Sequence, residues 1–254
     1  MAVFRYSSRF WLYAPTLFFL TLAVIVMAYW KIAAGAFEKK LAALKGHDAV
    51  PGIAIHWDSA VVGGFPFRIE ASFANLRIQG AGAHGPFSWR TEKFALHALT
   101  YGRSKMVYEA AGQQQAQWTE PDGQSRAVSF LPGSMHGSSI VKNDGLQRFD
   151  LDIVDMGAAG FTARRFQFHM RRDPDGRDLN LMLKADALRA KGAAAKNLQV
   201  YASLNHADLW MSLLRGESAW PQAAASWRTQ GGKATRTKAD MQGESPDALL
   251  SPLY

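Results

Sequence analysis

The 254-residue sequence predicts a mainly β protein of the α+β class. We expect one N-terminal transmembrane helix, then a curved antiparallel β meander with a short helix packed on it. Three observations predict this fold: an uncharged apolar run near the start, alternation of apolar and polar residues beyond residue 50, and short turn sequences between the alternating segments. The composition, 48% apolar with a net charge of +8, is that of a folded chain rather than a disordered one.

The predicted transmembrane helix covers residues 10–30, which contain no charged side chain. About 20 apolar residues are needed to cross roughly 30 Å of hydrocarbon, so this run suffices. Aromatic residues typical of membrane interfaces stand near both ends, namely Trp11, Tyr13, Tyr29 and Trp30. The alternative is a cleavable signal peptide, but its apolar core is usually shorter, so we expect the segment to be retained.

Basic residues flank this segment on both sides, and counting Lys and Arg therefore does not decide its orientation. We favour a cytoplasmic tail over residues 1–9, because that flank carries no acidic side chain whereas Glu38 lies on the other. After the span, apolar residues recur at helical spacing, at Ala33, Phe37, Leu41 and Leu44. This stripe predicts a juxtamembrane helix over residues 31–46.

Residues 50–216 form the predicted antiparallel β-rich domain, on the side of the membrane opposite residues 1–9. From Phe65 to Phe73 the odd positions are apolar, and the apolar parity then changes to Leu76 and Ile78, which predicts a bulge or break near Asn75. Similar alternation recurs at residues 53–57, 149–153, 166–170, 179–183 and 198–204. Turn sequences rich in Pro, Asn, Asp and Gly at 121–123, 143–145 and 173–176 predict short antiparallel connections.

The last part of the chain is less regular. Residues 205–216 predict a short helix, with Asn205 as its N-cap and Gly216 at its end. Between residues 184 and 196 a helix and a loop both remain open. Residues 217–254 show no sustained period and predict an irregular, poorly ordered tail, although Trp220 and Trp227 suggest one more strand pair.

Two groups of side chains are candidates for binding. The first is an apolar face of the predicted sheet, formed by Phe65, Phe67, Ile69, Phe73, Phe149, Phe166 and Phe168. An apolar face needs a covering layer or a ligand, because large exposed patches are uncommon. The second is a basic patch, Arg164, Arg165, Arg171, Arg172 and Arg177, which suits either anionic lipid phosphates or plain solvation.

No catalytic set emerges from the sequence, and we expect no enzyme activity, no cofactor and no metal. The absence of cysteine excludes a thiol nucleophile, an iron–sulfur cluster and cysteine-ligated zinc. The G-x-G-x-x-G match over residues 80–85 precedes a strand-like segment instead of a helix, so it predicts a hairpin loop. The seven histidines show no metal-ligand spacing.

The run from Trp57 to Ile69, with Gly63-Gly64-Phe65-Pro66-Phe67-Arg68 at its centre, follows a single membrane span. In this it resembles a proteobacterial envelope family, domain of unknown function 2125, which is distantly similar to the AsmA-like group. The resemblance covers residues 1–216 and brings no assigned activity. It implies an inner-membrane-anchored periplasmic β structure, and the wider group implies links to outer-membrane assembly and lipid movement.

These observations favour a single-pass inner-membrane protein whose periplasmic β domain binds lipid or other apolar chains in envelope assembly. Its expected partners are membrane lipid and other envelope proteins, and not nucleic acid. One alternative is a structural or protein-interaction module of the cell envelope with no ligand, which full coverage of the apolar face would favour. A third alternative is an envelope enzyme acting through residues such as His56, Asp58, Glu70 and His97.

Overall fold

A computed structural model describes residues 8–82, 84–99, 104–142, 145–190 and 193–243. In this part of the chain one long helix precedes a sheet of thirteen antiparallel strands, and two short helices lie near the end. The mainly β fold is therefore confirmed. The helices are α1 (Ser8–Leu44), α2 (Met211–Leu214, extended at its start by the 3₁₀ turn Ala207–Trp210) and α3 (Trp220–Thr229).

The strands follow one another along the chain with short connections. Their bounds are β1 (Asp48–Val50), β2 (Ile53–His56), β3 (Ser59–Gly63), β4 (Arg68–Ala81), β5 (Pro86–Leu99), β6 (Lys105–Thr119), β7 (Ser125–Phe130), β8 (Ser134–Lys142), β9 (Gly145–Ala158), β10 (Phe161–Arg172), β11 (Leu179–Ala190), β12 (Ala193–Leu204) and β13 (Ala234–Gly243). Each strand pairs with its sequence neighbour, except that β3 follows β2 along one edge of β4, and β7 precedes β8 along one edge of β6.

The predicted turns are present where the structure describes them. Gly123 N donates to Glu120 O at 2.9 Å, and Gly176 N donates to Asp173 O at 2.9 Å. Both glycines have a positive φ, which a side chain would strain. The glycine-rich segment 80–85 contains the end of β4 and the described part of the hairpin connection to β5, where Gly82 N donates to Gly85 O at 2.7 Å. The predicted turn at 143–145 falls mostly outside the described residues.

A row of backbone irregularities crosses the sheet from one side to the other, and we call it the crease. Asn75, Asp155 and Ala187 have left-handed φ values of 52°, 53° and 50°, and Gly112 has a φ of 79°. At the same level of the sheet, the regular pairing of neighbouring strands leaves other residues outside the ladder as well. Together with the four residues above, they form one line across the strands. That line is Asn75, Glu92, Gly112, Gly133, Asp155, Arg164, Ala187 and Lys196.

The crease changes which residues of each strand face the apolar side. In β4 the buried residues are Ala71 and Phe73 before the crease and Leu76 after it, as the parity change in the sequence predicts. In β11 the buried residues are likewise Leu179 and Ala185 before the crease and Leu188 after it. Each irregular residue therefore keeps the apolar side chains on one face of the sheet on both sides of the line.

Helix α1 joins the predicted transmembrane and juxtamembrane helices into one element. Its 37 residues span about 55 Å, which exceeds the roughly 30 Å that a membrane crossing needs. The surplus lies on the sheet, where Phe37, Leu41 and Leu44 pack on the cluster built by Trp57 and its neighbours. The helical stripe of the sequence is thus the docking face of α1.

The region 217–254, expected to be irregular, contains α3 and β13. The tryptophans that suggest a strand pair belong to α3: Trp220 and Trp227 pack against Trp210 in tilted geometry, with ring centroids 5.1 Å and 5.6 Å away. The sequence does not predict β13, because this edge strand is mostly exposed and its residues alternate only weakly between apolar and polar. Residues 244–254 lie outside the described part.

Two further expectations about this region need correction. Asn205 does not cap a helix, because its Oδ1 accepts a hydrogen bond from Lys233 N at 2.6 Å and so holds the start of β13. Residues 184–196, left open between helix and loop, belong to β11 and β12, with 191–192 undescribed. Gly216 does end the short helix, with a φ of 73°.

The crease makes a prediction about stability. Ala187→Gly should raise the free energy of unfolding by about 0.5–1 kcal/mol, because glycine adopts a left-handed φ without the clash that alanine suffers. Ala194→Gly, on an ordinary position of β12, should lower it by a similar amount. Thermal unfolding of the detergent-solubilised full chain compares the two, and a loss of stability in both variants would contradict the prediction.

Candidate functional site

The apolar face of the sheet forms a concavity over its middle strands. A cavity of about 380 Å³ lies on this face, and its walls are almost entirely apolar. Five neighbouring strands, β4, β5, β6, β8 and β9, supply its lining: Ile78, Trp89, Phe94, Tyr108, Ala110, Met135, Gly137, Phe149 and Leu151. A concavity of this size on one face of a single sheet indicates that the sheet curves, as the family resemblance implies.

Helices of the chain cover the two ends of this face. Helix α1 packs over Trp57, Phe73 and Leu76 at the β2–β5 end. At the other end, α3 and the turn before α2 bury Leu179 and Trp210. The segment from α2 to α3 also approaches β9 at Gly145 and the β1–β2 hairpin at Val50 and Gly52. The face is therefore partly covered, and the cavity occupies the open part.

Small and aromatic side chains together shape the cavity. Gly137 lines the cavity, and a Cβ at this position would lie 3.3 Å from Asp150 O and 3.4 Å from the Tyr108 ring. Tyr108 stacks on Phe94, with ring centroids 6.1 Å apart. Its hydroxyl lies 2.6 Å from Ser139 Oγ, so the polar end of this ring has a partner on β8 and the ring is held in place.

Five of the seven predicted apolar-face residues lie on that face. Phe149 lines the cavity and Phe168 lies beside it, with ring centroids 6.4 Å apart. Phe73 and Phe166 lie on the same face but belong to packed clusters. Ile69 shares the face of Ala71 and Phe73 by strand parity.

Phe65 and Phe67 do not lie on the apolar face. They belong to the connection between β3 and β4, where they are 51% and 69% exposed. The sequence alternation includes them in the strand, but the ladder with β5 begins only at Arg68. The Phe65 ring instead meets Trp30 of α1 edge to face, with centroids 5.6 Å apart.

Sequence reasoning missed most of the residues that line the cavity. Trp89 and Phe94 lie on β5 with opposite parity, because the crease passes between them at Glu92. A search for strict alternation therefore fails on this strand. Allowing one parity change per strand, as Asn75 already requires, would reveal the apolar series on β5.

The predicted basic patch is not one surface. Arg164 and Arg165 lie at the crease, whereas Arg171, Arg172 and Arg177 lie where β10 ends and β11 begins, about 20 Å further along the strand. Arg165 forms a bidentate pair with Asp152, at 2.7 Å and 2.8 Å. These arginines therefore do not converge on one ligand.

The outer face of the sheet carries paired charges instead of a catalytic constellation. Asp150 accepts a hydrogen bond from Arg148 Nε at 2.6 Å, and its other oxygen lies 2.7 Å from His169 Nδ1. Partial burial would raise the pKa of Asp150, but these partners outweigh it and the pKa is lowered. The Arg165 hydrogen bonds likewise lower the pKa of Asp152. Both carboxylates are therefore ionised at neutral pH.

A second outer-face group contains His97 between two glutamates. Its Nδ1 lies 3.4 Å from Glu70 Oε2, and its Nε2 lies 3.7 Å from Glu109 Oε1. Arg68 also pairs with Glu70, at 3.0 Å. The described residues contain no group of three His, Asp or Glu side chains arranged to hold a metal ion.

The profile of domain of unknown function 2125 (DUF2125), described as an uncharacterized protein conserved in bacteria, matches residues 30–245. The chain belongs to this family. The DUF2125 match begins at Trp30, where α1 meets the β domain, and includes every strand of the sheet. Neither the curated proteins nor the solved structures yield a match.

The Asp150 cluster predicts a defined pH dependence. Asp150→Asn should lower the free energy of unfolding by about 1–3 kcal/mol at pH 7, because Arg148 and His169 lose a charged partner. The folded-state pKa of Asp150 is depressed, so its contribution is fully present above the unfolded pKa and disappears as the pH falls through the folded value. The difference in the free energy of unfolding between the variant and the native chain should therefore persist down to about pH 4 and become smaller only below it.

Asp175→Asn, on the exposed β10–β11 turn, is the matched control and should change stability little at either pH. Denaturant unfolding at pH 7, 5 and 3 measures both variants. An Asp150→Asn deficit of equal size at all three values would contradict the assigned ion pairing.

Proposed function

We propose that this DUF2125 protein is a single-pass inner-membrane protein whose β domain stands in the periplasm and shelters an apolar chain, most simply the acyl chain of a lipid, in the cavity over β4–β9. The observation that carries the proposal is the partly covered apolar face. Its ends are packed by the chain's own helices, yet its middle retains about 380 Å³ of apolar space. Ligand sites of a few hundred Å³ with mostly apolar walls are typical of small-molecule binding.

The properties of α1 support the membrane part of the proposal. Within the described residues one helix is long and apolar enough to cross a membrane. Its first half makes little contact with the sheet, since Leu17, Phe18 and Phe19 are 64–66% exposed. Water would disfavour such a surface, whereas hydrocarbon does not. A signal sequence has similar features, so the anchor is part of the proposal.

A structural module without a ligand is the second candidate function. It is favoured by the packing at both ends of the face, where α1 and α3 bury tryptophans and leucines as a protein core does. The two candidates differ in what occupies the open middle. The ligand-binding function requires an apolar molecule there, while the structural function requires none.

Photo-crosslinking at neighbouring positions of one strand tests the binding function. Phe168 and Gln167 lie next to each other on β10, and successive side chains point to opposite faces. p-Benzoylphenylalanine in place of Phe168 should yield lipid adducts in cells, detectable by mass spectrometry of the purified full chain. The same probe in place of Gln167 should yield far fewer. Equal yields, or no lipid adduct at residue 168, would contradict the proposal.

A cavity-filling variant provides the second arm of this test. Gly137→Val should fill the floor of the cavity and reduce co-purifying lipid severalfold in native mass spectrometry. Gly157→Val introduces the same group on β9, where a Cβ meets nothing within 4 Å, and should leave the bound lipid unchanged. Equal lipid content in both variants would favour the structural function.

The proposed topology has its own test, which the cysteine-free sequence simplifies. Arg126→Cys, in the β domain, should react with a membrane-impermeant maleimide in cells whose outer membrane is permeabilised. Ala2→Cys, in the N-terminal tail, should react only after lysis. Recovery of the label at residue 2 in the full-length protein would also establish that the segment is retained. The reverse labelling pattern would contradict the orientation, and a mature protein lacking residue 2 would contradict the anchor.

A further inference from the structure

We propose that the β3–β4 connection, residues 64–67, docks on the lipid surface of the bilayer beside α1 and holds the rim of the sheet against the membrane. This inference rests on the membrane anchor of the proposed function and goes beyond it, because it assigns a second membrane contact. The occupant is the lipid bilayer itself, and the contact is formed by a loop rather than by a membrane-crossing segment.

Exposed apolar side chains concentrate at this connection. Outside α1, the described chain exposes seven large hydrophobic side chains. Three of them, Val61, Phe65 and Phe67, lie on the single hairpin of β3 and β4. Clustered exposed apolar groups mark interaction surfaces more often than scattered ones do. The hairpin therefore has an unusual apolar tip.

The backbone of the connection keeps this tip compact. Arg68 N donates to Gly64 O at 3.1 Å and closes the connection. Gly64 has a φ of 94°, and a Cβ at this position would lie 2.8 Å from Arg68 O. Only glycine fits this closure, so the two phenylalanines are presented on a defined turn instead of a mobile loop.

Contacts with Trp30 place the tip at one end of the proposed span. Trp30 Nε1 donates to Arg68 O at 2.9 Å, and the Trp30 ring meets Phe65 edge to face. Toward the N-terminus, about 20 residues of α1 reach from Trp30 to residue 10 and cover roughly 30 Å, the thickness of the hydrocarbon layer. Trp30 then lies at the membrane interface, where tryptophan is enriched, and the tip lies beside it.

The charges around the tip agree with a headgroup environment. Lys31 follows Trp30 on α1 and is exposed. Lys105 and Lys142 are exposed at the same rim of the sheet, since β6 begins and β8 ends there. Basic side chains at this level attract anionic lipid headgroups, while aromatic rings enter the interface between headgroups and acyl chains.

Docking of this rim would bring the apolar face that contains the cavity close to the bilayer. The strands that line the cavity have their ends at the level of the tip, because Arg68 of β4 pairs with Leu99 of β5, and Lys105 of β6 pairs with Ile140 of β8. A rim held on the bilayer brings this end of the apolar face to the lipid surface. An acyl chain could then pass between bilayer and face with little exposure to water.

Single-cysteine fluorescence measures the docking directly in the full chain. Phe67→Cys is labelled with an environment-sensitive nitrobenzoxadiazole probe and reconstituted into vesicles of phosphatidylethanolamine and phosphatidylglycerol. Leu22→Cys, inside the proposed span, and Arg126→Cys, on β7 far from the tip, serve as the reference positions. We expect blue-shifted emission at residue 67 and quenching by brominated phospholipid severalfold stronger than at residue 126.

The outcomes separate this inference from the proposed function. Quenching at residue 22 without quenching at residue 67 would overturn the docking while leaving the anchor intact. No quenching at residue 22 would overturn the anchor, and the docking with it. Crosslinking of p-benzoylphenylalanine at position 67 to another protein in cells, with no lipid adduct, would also overturn the docking.

Discussion

The need to cover one apolar face governs the architecture of this DUF2125 protein. A sheet whose strands alternate apolar and polar residues has a face that water disfavours, and a chain with a single sheet must cover it with its own helices or with a ligand. Helix α1 and the α2–α3 region each cover one end. The curvature of the sheet gathers the rest into a concavity instead of leaving a flat exposed surface.

The crease allows this face to extend along the full length of the strands. Regular strands of 12–15 residues twist strongly. In a long sheet without interruption, the ends of the strands would diverge from one another. At the crease several strands insert a left-handed residue, and the edge pairing changes from β2 to β3 and from β7 to β8. Bulges increase the local twist and bend a strand, so a line of them bends the sheet as a whole.

The sequence predicts the class, the antiparallel order, most turns and the parity change at Asn75, because these depend on local patterns. It does not predict the cavity, since Trp89 and Tyr108 come from strands whose alternation the crease interrupts. Phe65 and Phe67 continue the alternation of β4 but lie before its ladder begins, and only the pairing with β5 reveals this. The sequence does not predict α3, because this helix is stabilised by contacts of its tryptophans with Trp210 rather than by its own periodicity.

The continuity of α1 has a mechanical consequence. No loop separates its exposed half from the half that packs on Trp57 and Phe73. The exposed half is therefore joined to the sheet without a flexible linker. A protein joined to its anchor by a flexible linker can search a wide volume. With α1 as the proposed membrane anchor, the β domain would be held at a fixed height above the bilayer, and a tilt of the helix would displace the far rim of the sheet.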